Sequence, residues 1–467
     1  MNSKKIQQKI QLHFPFQPTT QQDQIINDIS EFVTTIGNRS IFMLKGYAGT
    51  GKTTLVSALV KSLPAIGKRS VLMAPTGRAA KVLSKYSKKS ASTIHRKIYW
   101  IRTNKSGNTI IKLKENLHTN TIFIVDEASM IPESYDRGFG NRSLLEDLIK
   151  YVYEGIDCKL ILIGDIAQLP PVNLDISPAL NEKELELNYN KQVIFKELTI
   201  VVRQNKDSLI LENATRLRKK ISDDDYSYPK FLTNSEVIRI NTGEDLQEAL
   251  ENAYSNEGIN NTTILCRSNK RANQYNQQVR VKIRWQENEI SAGDKLMVVR
   301  NNYYWLDEDS NAGFIANGDI VEIVKIKEII ERYGFRFAKS VIQLTDYRNE
   351  KELDVILLLD TLISEKPALT HEQYQQLYRE VGLDYKGEKE INKKIKENMF
   401  FNALQVKFAY AITCHKSQGG QWDNVFIDLG YYTEDMLDKS FLRWLYTAFT
   451  RASKKLYLIN FNDDFFN

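Results

Sequence analysis

The chain has 467 residues, 42% hydrophobic and 26% charged, which calls for two or three domains and excludes disorder as the default. Its net charge of +6 allows a polyanionic partner without requiring one. Three scattered cysteines (Cys158, Cys266, Cys414) give neither a disulfide framework nor a metal spacing, and nothing resembles a signal peptide or a membrane span, so a cytoplasmic protein is expected.

Residues 1–18 are polar and glutamine-rich and are expected to fray. Thr19–Gln22 then precede a helical pattern carrying Ile25, Ile26, Ile29, Phe32 and Val33 on one side. The apolar run Ile41–Leu44 reads as a buried parallel strand. It leads into Gly46-Tyr47-Ala48-Gly49-Thr50-Gly51-Lys52-Thr53, which fits the phosphate-loop pattern GxxxxGK[ST] at every fixed position. Glycines let such a loop turn its N–H groups inward onto phosphate oxygens. Lys52 would reach the β- and γ-phosphates of ATP, and the Thr53 hydroxyl would ligate Mg²⁺. Leu55, Leu59 and Leu63 continue at helical spacing, so a helix N-terminus, with Thr54 in its first turn, faces the phosphates.

Val71–Ala74 is a second buried-strand candidate that runs into Pro75-Thr76-Gly77-Arg78, a polar and basic turn suited to a backbone phosphate. Ser92-Thr93-Ile94-His95 follows, where a lone histidine has no role by itself. Ile98–Arg102 and Thr109–Leu113 are β-prone runs around Lys105-Ser106-Gly107-Asn108, a hairpin with Tyr99 and Trp100 at its base. Thr121–Val125 ends in Asp126 and Glu127. Beside a phosphate loop, Asp126 would hold Mg²⁺ through water and Glu127 would polarise the attacking water. Lys159–Ile163 repeats the strand pattern and is followed by Gln168-Leu169-Pro170-Pro171, placing Gln168 near the γ-phosphate or the attacking water.

The first domain is expected over 1–202. A second α/β domain covers 203–289 and 401–467, with strands near 262–268, 408–415, 425–428 and 456–459. Residues 290–400 read as an insertion. Short strands near 295–300, 319–326 and 341–344 fit a small β-barrel, and a charged helical stretch covers 370–398. Two polar clusters close the chain: Thr413-Cys414-His415-Lys416-Ser417-Gln418-Gly419-Gly420-Gln421-Trp422, and Tyr446-Thr447-Ala448-Phe449-Thr450-Arg451-Ala452.

Taken in this order, the phosphate loop, the Asp-Glu-Ala-Ser box, Gly-Asp-x-x-Gln-Leu-Pro-Pro, His-Lys-Ser-Gln-Gly and Tyr-Thr-Ala-x-Thr-Arg-Ala resemble the motifs of the superfamily 1 helicases. The Gln-Leu-Pro-Pro and His-Lys-Ser-Gln-Gly forms resemble the RecD-like and phage Dda-like branch, which moves 5′ to 3′ on DNA. The resemblance implies an α/β fold of two RecA-like parallel-sheet domains with ATP between them. It implies that Gln22 recognises adenine, that Gly46, Ala48, Gly49, Thr50, Gly51, Lys52, Thr53, Thr54 and Gly420 cradle the nucleotide, and that Gln168 senses the γ-phosphate. Arg203 and Arg451 would be arginine fingers. Pro75, Thr76, Arg78, Thr93 and His95 fall on DNA-facing segments of the first domain, and Thr413, His415 and Lys416 on those of the second. The hairpin sits where this branch carries a strand-separating pin, with Tyr99 and Trp100 able to stack on a base, and the insertion sits where it carries a β-barrel arm. Single-stranded and forked DNA are the implied partners, joined by single-strand-binding or replication and recombination proteins, and the protein is expected to act as a monomer. The residues leave two neighbouring activities open: a DNA-stimulated ATPase that remodels protein–DNA complexes, and an RNA-directed enzyme of the same superfamily.

Overall fold

The computed structural model describes residues 2–37, 40–103, 109–133, 143–202, 208–306, 310, 314–345 and 351–466. Strands β1 (Ser40–Gly46), β2 (Arg69–Ala74) and β3 (Ala91–Thr93) belong to the first sheet. A separate antiparallel pair, β4 (Tyr99–Thr103) and β5 (Thr109–Leu113), forms the expected hairpin. The first sheet continues with β6 (Thr121–Val125), β7 (Lys159–Gly164) and β8 (Gln192–Leu198), in the spatial order β3-β2-β6-β7-β1-β8. All its pairings are parallel. Side chains alternate along β1, so Ile41 and Met43 enter one core cluster while Phe42 and Leu44 enter the other. Helices cover both faces, which is why these strands read as unbroken apolar runs.

The second sheet contains β9 (Val237–Ile240) and β10 (Thr262–Cys266). The chain then leaves it for a closed barrel of β11 (Lys295–Val298), β12 (Ile320–Arg332), β13 (Phe335–Leu344), β14 (Leu353–Leu358) and β15 (Leu404–Phe408). It returns as β16 (Ala411–Thr413), β17 (Trp422–Asp428) and β18 (Ala452–Ile459), and the sheet order is β16-β10-β17-β18-β9, again parallel. Two barrel strands, β14 in an apolar run and β15 in the alternating Leu-Gln-Val-Lys-Phe, carried no strand assignment. Phe408, expected at the start of the second sheet, closes the barrel instead.

The barrel is mounted firmly. Arg280, 2% exposed, forms a two-point ion pair with fully buried Asp294 at 3.0 and 2.9 Å, and the Tyr410 hydroxyl donates to the same carboxylate at 2.8 Å. Removing one partner of such a buried pair costs about 3–5 kcal/mol, because the other charge is left unpaired.

The N-terminus departs from expectation. Asn2–His13 is a helix whose Ile6 and Ile10 are fully buried with Phe14 beneath the first sheet's helices, in the core that also holds Ile25 and Ile29. A stripe spaced every four residues is enough to dock it, although its flanks are lysine and glutamine. The C-terminal Phe461 and Phe465 are likewise packed, against Phe231. Among the described residues, no helix is long and apolar enough to cross a membrane, and Cys158, Cys266 and Cys414 are free and buried.

Candidate active site between the two sheets

In a parallel sheet all strand ends of one kind lie along one edge, and ligand-binding loops gather there. The turns after β1, β6 and β7 therefore converge: the phosphate loop, the Asp126–Glu127 pair and Asp165–Gln168. They line one cleft of about 770 Å³, together with Gly419, Gly420 and Arg451 from the second domain.

The phosphate loop has the backbone its sequence demands. Gly49 and Gly51 hold φ of +77° and +90°, and a Cβ on Gly51 would stand 2.6 Å from Gln22 Nε2. The helix Lys52–Ser62 starts directly behind it. Lys52 Nζ donates to the carbonyls of Gly46 (2.6 Å) and Tyr47 (2.9 Å), which keeps the cation at the mouth of the loop. Thr53 and Thr54 line the cleft, while Thr50 is buried and its hydroxyl donates to the Tyr47 carbonyl.

Gln22 is fixed by the start of its own helix, Thr20–Thr34. Thr19 and Gln22 form a reciprocal capping box, with Thr19 N–H donating to Gln22 Oε1 at 3.0 Å. Gln22 Nε2 then donates to the Thr50 carbonyl at 3.0 Å, so one amide ties this helix to the phosphate loop. Phe14, Phe16 and Gln17 line the same end of the cleft, and none was singled out in the sequence.

The acidic pair sits on the cleft floor. Glu127 adopts φ +53°, in the left-handed region, where a non-glycine residue is unusual and functional positions concentrate. Its N–H donates to Asp126 Oδ1 at 2.9 Å. Burial pushes both carboxyls up. For Asp126 the Glu127 N–H and the Lys52 cation oppose this; for Glu127 the main opposing charge is Arg451, with Lys52 adding to it and Asp126 and Asp165 working against it. Arg451 thus acts on the first domain's acid from the second domain. It is 4% exposed and is held by the carbonyls of Thr447 (3.1 Å) and Gly420 (3.2 Å). Gln168 is 6% exposed, and its Oε1, an acceptor lining the cleft, has no hydrogen-bond partner among the described residues. Arg203 lies outside the described residues.

Triphosphate chemistry fits this set: loop amides and two cations for anionic oxygens, and a carboxyl group and a buried amide oxygen for a water. Thr53 and Asp126 both line the cleft and offer the hard oxygen donors that Mg²⁺ takes.

The residues expected on nucleic acid gather at the edge strands. Ala74 pairs with Thr93 across β2 and β3, so Pro75–Arg78 and Thr93–His95 emerge side by side, and Cys266 pairs with Thr413 across β10 and β16 in the second sheet. Thr76 caps the helix Gly77–Ser87. His415 is exposed and Lys416 half-buried. Three expectations need correction. Tyr99 is 4% exposed, sits in the core with Ile98 and donates its hydroxyl to Asp147 at 2.8 Å, so it has no face for a base. Trp100, on the opposite face of the strand, is 53% exposed with Lys114 Nζ 4.9 Å above its ring. Thr93 is 5% exposed and spends its hydroxyl capping the short helix Ile94–Ile98 that carries His95. The Arg78 guanidinium lies 4.1 Å over the ring of buried Trp422, so it packs against the second domain.

Residues 21–227 match the AAA domain family, and residues 408–459 match the UvrD-like helicase C-terminal domain. Both matches agree with the motif order in pointing to the superfamily 1 helicases. It is 26% identical over 413 residues to the ATP-dependent DNA helicase dda of Enterobacteria phage T4, covering 82% of this chain and 86% of that one. It is 24% identical over 436 residues to the ATP-dependent DNA helicase Pif1 of Campylobacter jejuni, covering 88% and 86%. Among solved structures it is similar to Bacteroides Pif1 in complex with ADP-AlF3 and ssDNA, at 14% identity and a TM-score of 0.46, covering 96% and 94% of the two chains. Gln168 from the first domain and Arg451 from the second line this one cleft.

Proposed function

We propose that this protein is an ATP-dependent DNA helicase that moves 5′ to 3′ on single-stranded DNA and unwinds forked duplex. The observation carrying this reading is the composite cleft: phosphate loop, acidic pair and Gln168 from one sheet, Gly420 and Arg451 from the other. Lys52 and the loop amides bind the β- and γ-phosphates. Glu127 takes the proton of the attacking water, which Gln168 Oε1 orients by accepting from it. Arg451 neutralises charge on the transferred phosphoryl group, and Arg203 is assigned to the same task. Thr53 and Asp126 would hold Mg²⁺, which supplies further charge neutralisation at the phosphates when bound. Gln22, held by its capping box, presents its remaining amide capacity to adenine.

ATP draws the two sheets together because Arg451 engages phosphates held by the other domain; hydrolysis removes that bridge. Pro75, Thr76 and His95 grip single-stranded DNA on one side and Thr413, His415 and Lys416 on the other, so alternate gripping converts each cycle into a step. The contacts go to the backbone, so sequence selectivity is low. The hairpin of β4 and β5 is the wedge, with Trp100 on the base pair it meets. One base-pair step resists by about 1.4 kcal/mol, a modest load for a nucleotide-driven stroke. The likeness to two DNA helicases along more than four-fifths of the chain supports DNA as the track.

ATP turnover measured with DNA and RNA oligomers of one sequence, alongside strand release from a forked DNA duplex, tests this reading. DNA is expected to stimulate turnover and the fork to separate. Stimulation by RNA alone would make it an RNA-directed enzyme, and stimulation by DNA without strand release would make it a remodelling ATPase.

A further inference from the structure

Tyr446 lies on the helix Lys439–Phe449 of the second domain and is 1% exposed. Its hydroxyl makes two hydrogen bonds, both across the domain boundary. It donates to Asp165 Oδ2 at 2.8 Å and accepts from the Ala48 N–H of the phosphate loop at 2.8 Å. A phenylalanine would fill the same space, so packing does not account for the hydroxyl. Burial and the neighbouring Asp165 push the phenol well above its ordinary pKa, so it stays a neutral donor.

Its neighbours make the contact specific. Asp165 is 1% exposed, and its Oδ1 accepts from Ala167 N–H at 3.0 Å. Leu169 N–H donates to Thr447 Oγ1 at 2.8 Å, and Gln418 Nε2 donates to the Leu169 carbonyl at 2.6 Å. Gln168 therefore stands between two points, Asp165 and Leu169, that second-domain side chains hold. The carboxylate of Asp165 is also one of the charges acting on Glu127. One hydroxyl thus touches the loop that binds phosphate and the segment that presents Gln168.

We propose that Tyr446 is a positioning residue through which the second domain sets the phosphate loop and Gln168 for turnover. With the domains together, the Tyr446 hydroxyl serves both the Ala48 N–H and Asp165 Oδ2; when they part, both lose that hydroxyl at once, and Asp165 keeps only its bond from Ala167 N–H. Closure is thereby coupled to the geometry of hydrolysis independently of Arg451, which acts by charge. This rests on the ATPase reading above.

The test compares parent and Tyr446→Phe in ATP turnover with and without an oligo-dT strand, with ATP KM and the thermal unfolding midpoint measured on the same preparations. DNA-stimulated kcat is expected to fall by about tenfold or more, since the buried Asp165 and the phosphate-loop Ala48 N–H each lose a bond in the productive state. The ATP KM and midpoint should stay near parental values. A stimulated kcat at the parental level, or a rise in KM with kcat kept, would overturn the proposal. Should Tyr446→Phe fold poorly, Thr447→Val removes the neighbouring anchor at Leu169: a matching fall in stimulated kcat supports the proposal and a parental value overturns it. A parent that hydrolyses ATP without any response to DNA would instead refute the functional reading. The Tyr446 contact would then be read in the kcat of unstimulated hydrolysis, with the same two outcomes.

Discussion

The two parallel sheets share a build but not a chemistry. In the first, the strands end in the phosphate loop, the acidic pair and the Gln168 segment. In the second, the edge strand ends in Thr413–Lys416, and what reaches the cleft is Gly419, Gly420 and Arg451, with Tyr446 behind them. The first sheet holds what is needed to bind a nucleotide. The second adds a cation that bears on Glu127 and a hydroxyl that bears on the loop. A site divided in this way can bind in one arrangement and react only in another, which is the requirement for turning hydrolysis into motion.

If that division is right, variants of the second sheet should spare binding and lose turnover. Arg451→Ala should lower DNA-stimulated kcat by about 10³–10⁵, the range for arginine fingers, while ATP affinity measured by equilibrium binding changes little. Loss of affinity in step with kcat would move Arg451 into the binding half. Glu127→Gln, in the first sheet, should lower kcat by about 10²–10⁴ with ATP still bound, as expected for a general base; normal turnover would remove the assignment.

The hairpin offers a separate cut. Replacing residues 102–110 with a short Gly-Ser turn keeps Tyr99, Ile111 and Leu113, which pack on the core. Strand separation should be largely lost while single-strand-stimulated ATP turnover stays near parental. Unwinding at the parental rate would place the wedge elsewhere.

The smallest expected effect is a shift in pH dependence. Burial raises the Glu127 carboxyl and Arg451 opposes the rise. A base must be deprotonated to act, so the acid limb of kcat should lie above the ordinary glutamate range. Removing the Arg451 cation destabilises the carboxylate, so in Arg451→Ala the limb should move to higher pH. A limb that moves down, or does not move, would separate the two residues electrostatically.

The phosphate loop was legible because its contiguous motif admits few other uses, whereas the acidic pair is ordinary until set beside that loop, and Arg451 reads as a surface arginine until the order of the motifs singles it out. Tyr99 and Trp100 were not separable in this way. Adjacent strand residues face opposite sides, and which face meets the core is set by Asp147 and the helix Leu144–Glu154, nearly 50 positions away. The helix Asn2–His13 escaped because three apolar positions among lysines and glutamines look solvated until Ile25 and Ile29 supply the other half of the interface. Barrel strand β14 was hidden because a continuous apolar run carries no period, while β15 alternates as Leu-Gln-Val-Lys-Phe but lies in residues assigned to the second α/β domain. Tyr446 was quoted within its motif, but its use depends on Ala48 and Asp165, hundreds of positions away, and no local pattern encodes that pairing.

The central claim is directional unwinding by this composite ATPase, and duplexes carrying only a 5′ or only a 3′ single-stranded tail test it most directly. With ATP and Mg²⁺ supplied, the account predicts strand release from the 5′-tailed duplex and little from the 3′-tailed one. Efficient release from the 3′ tail alone would contradict it.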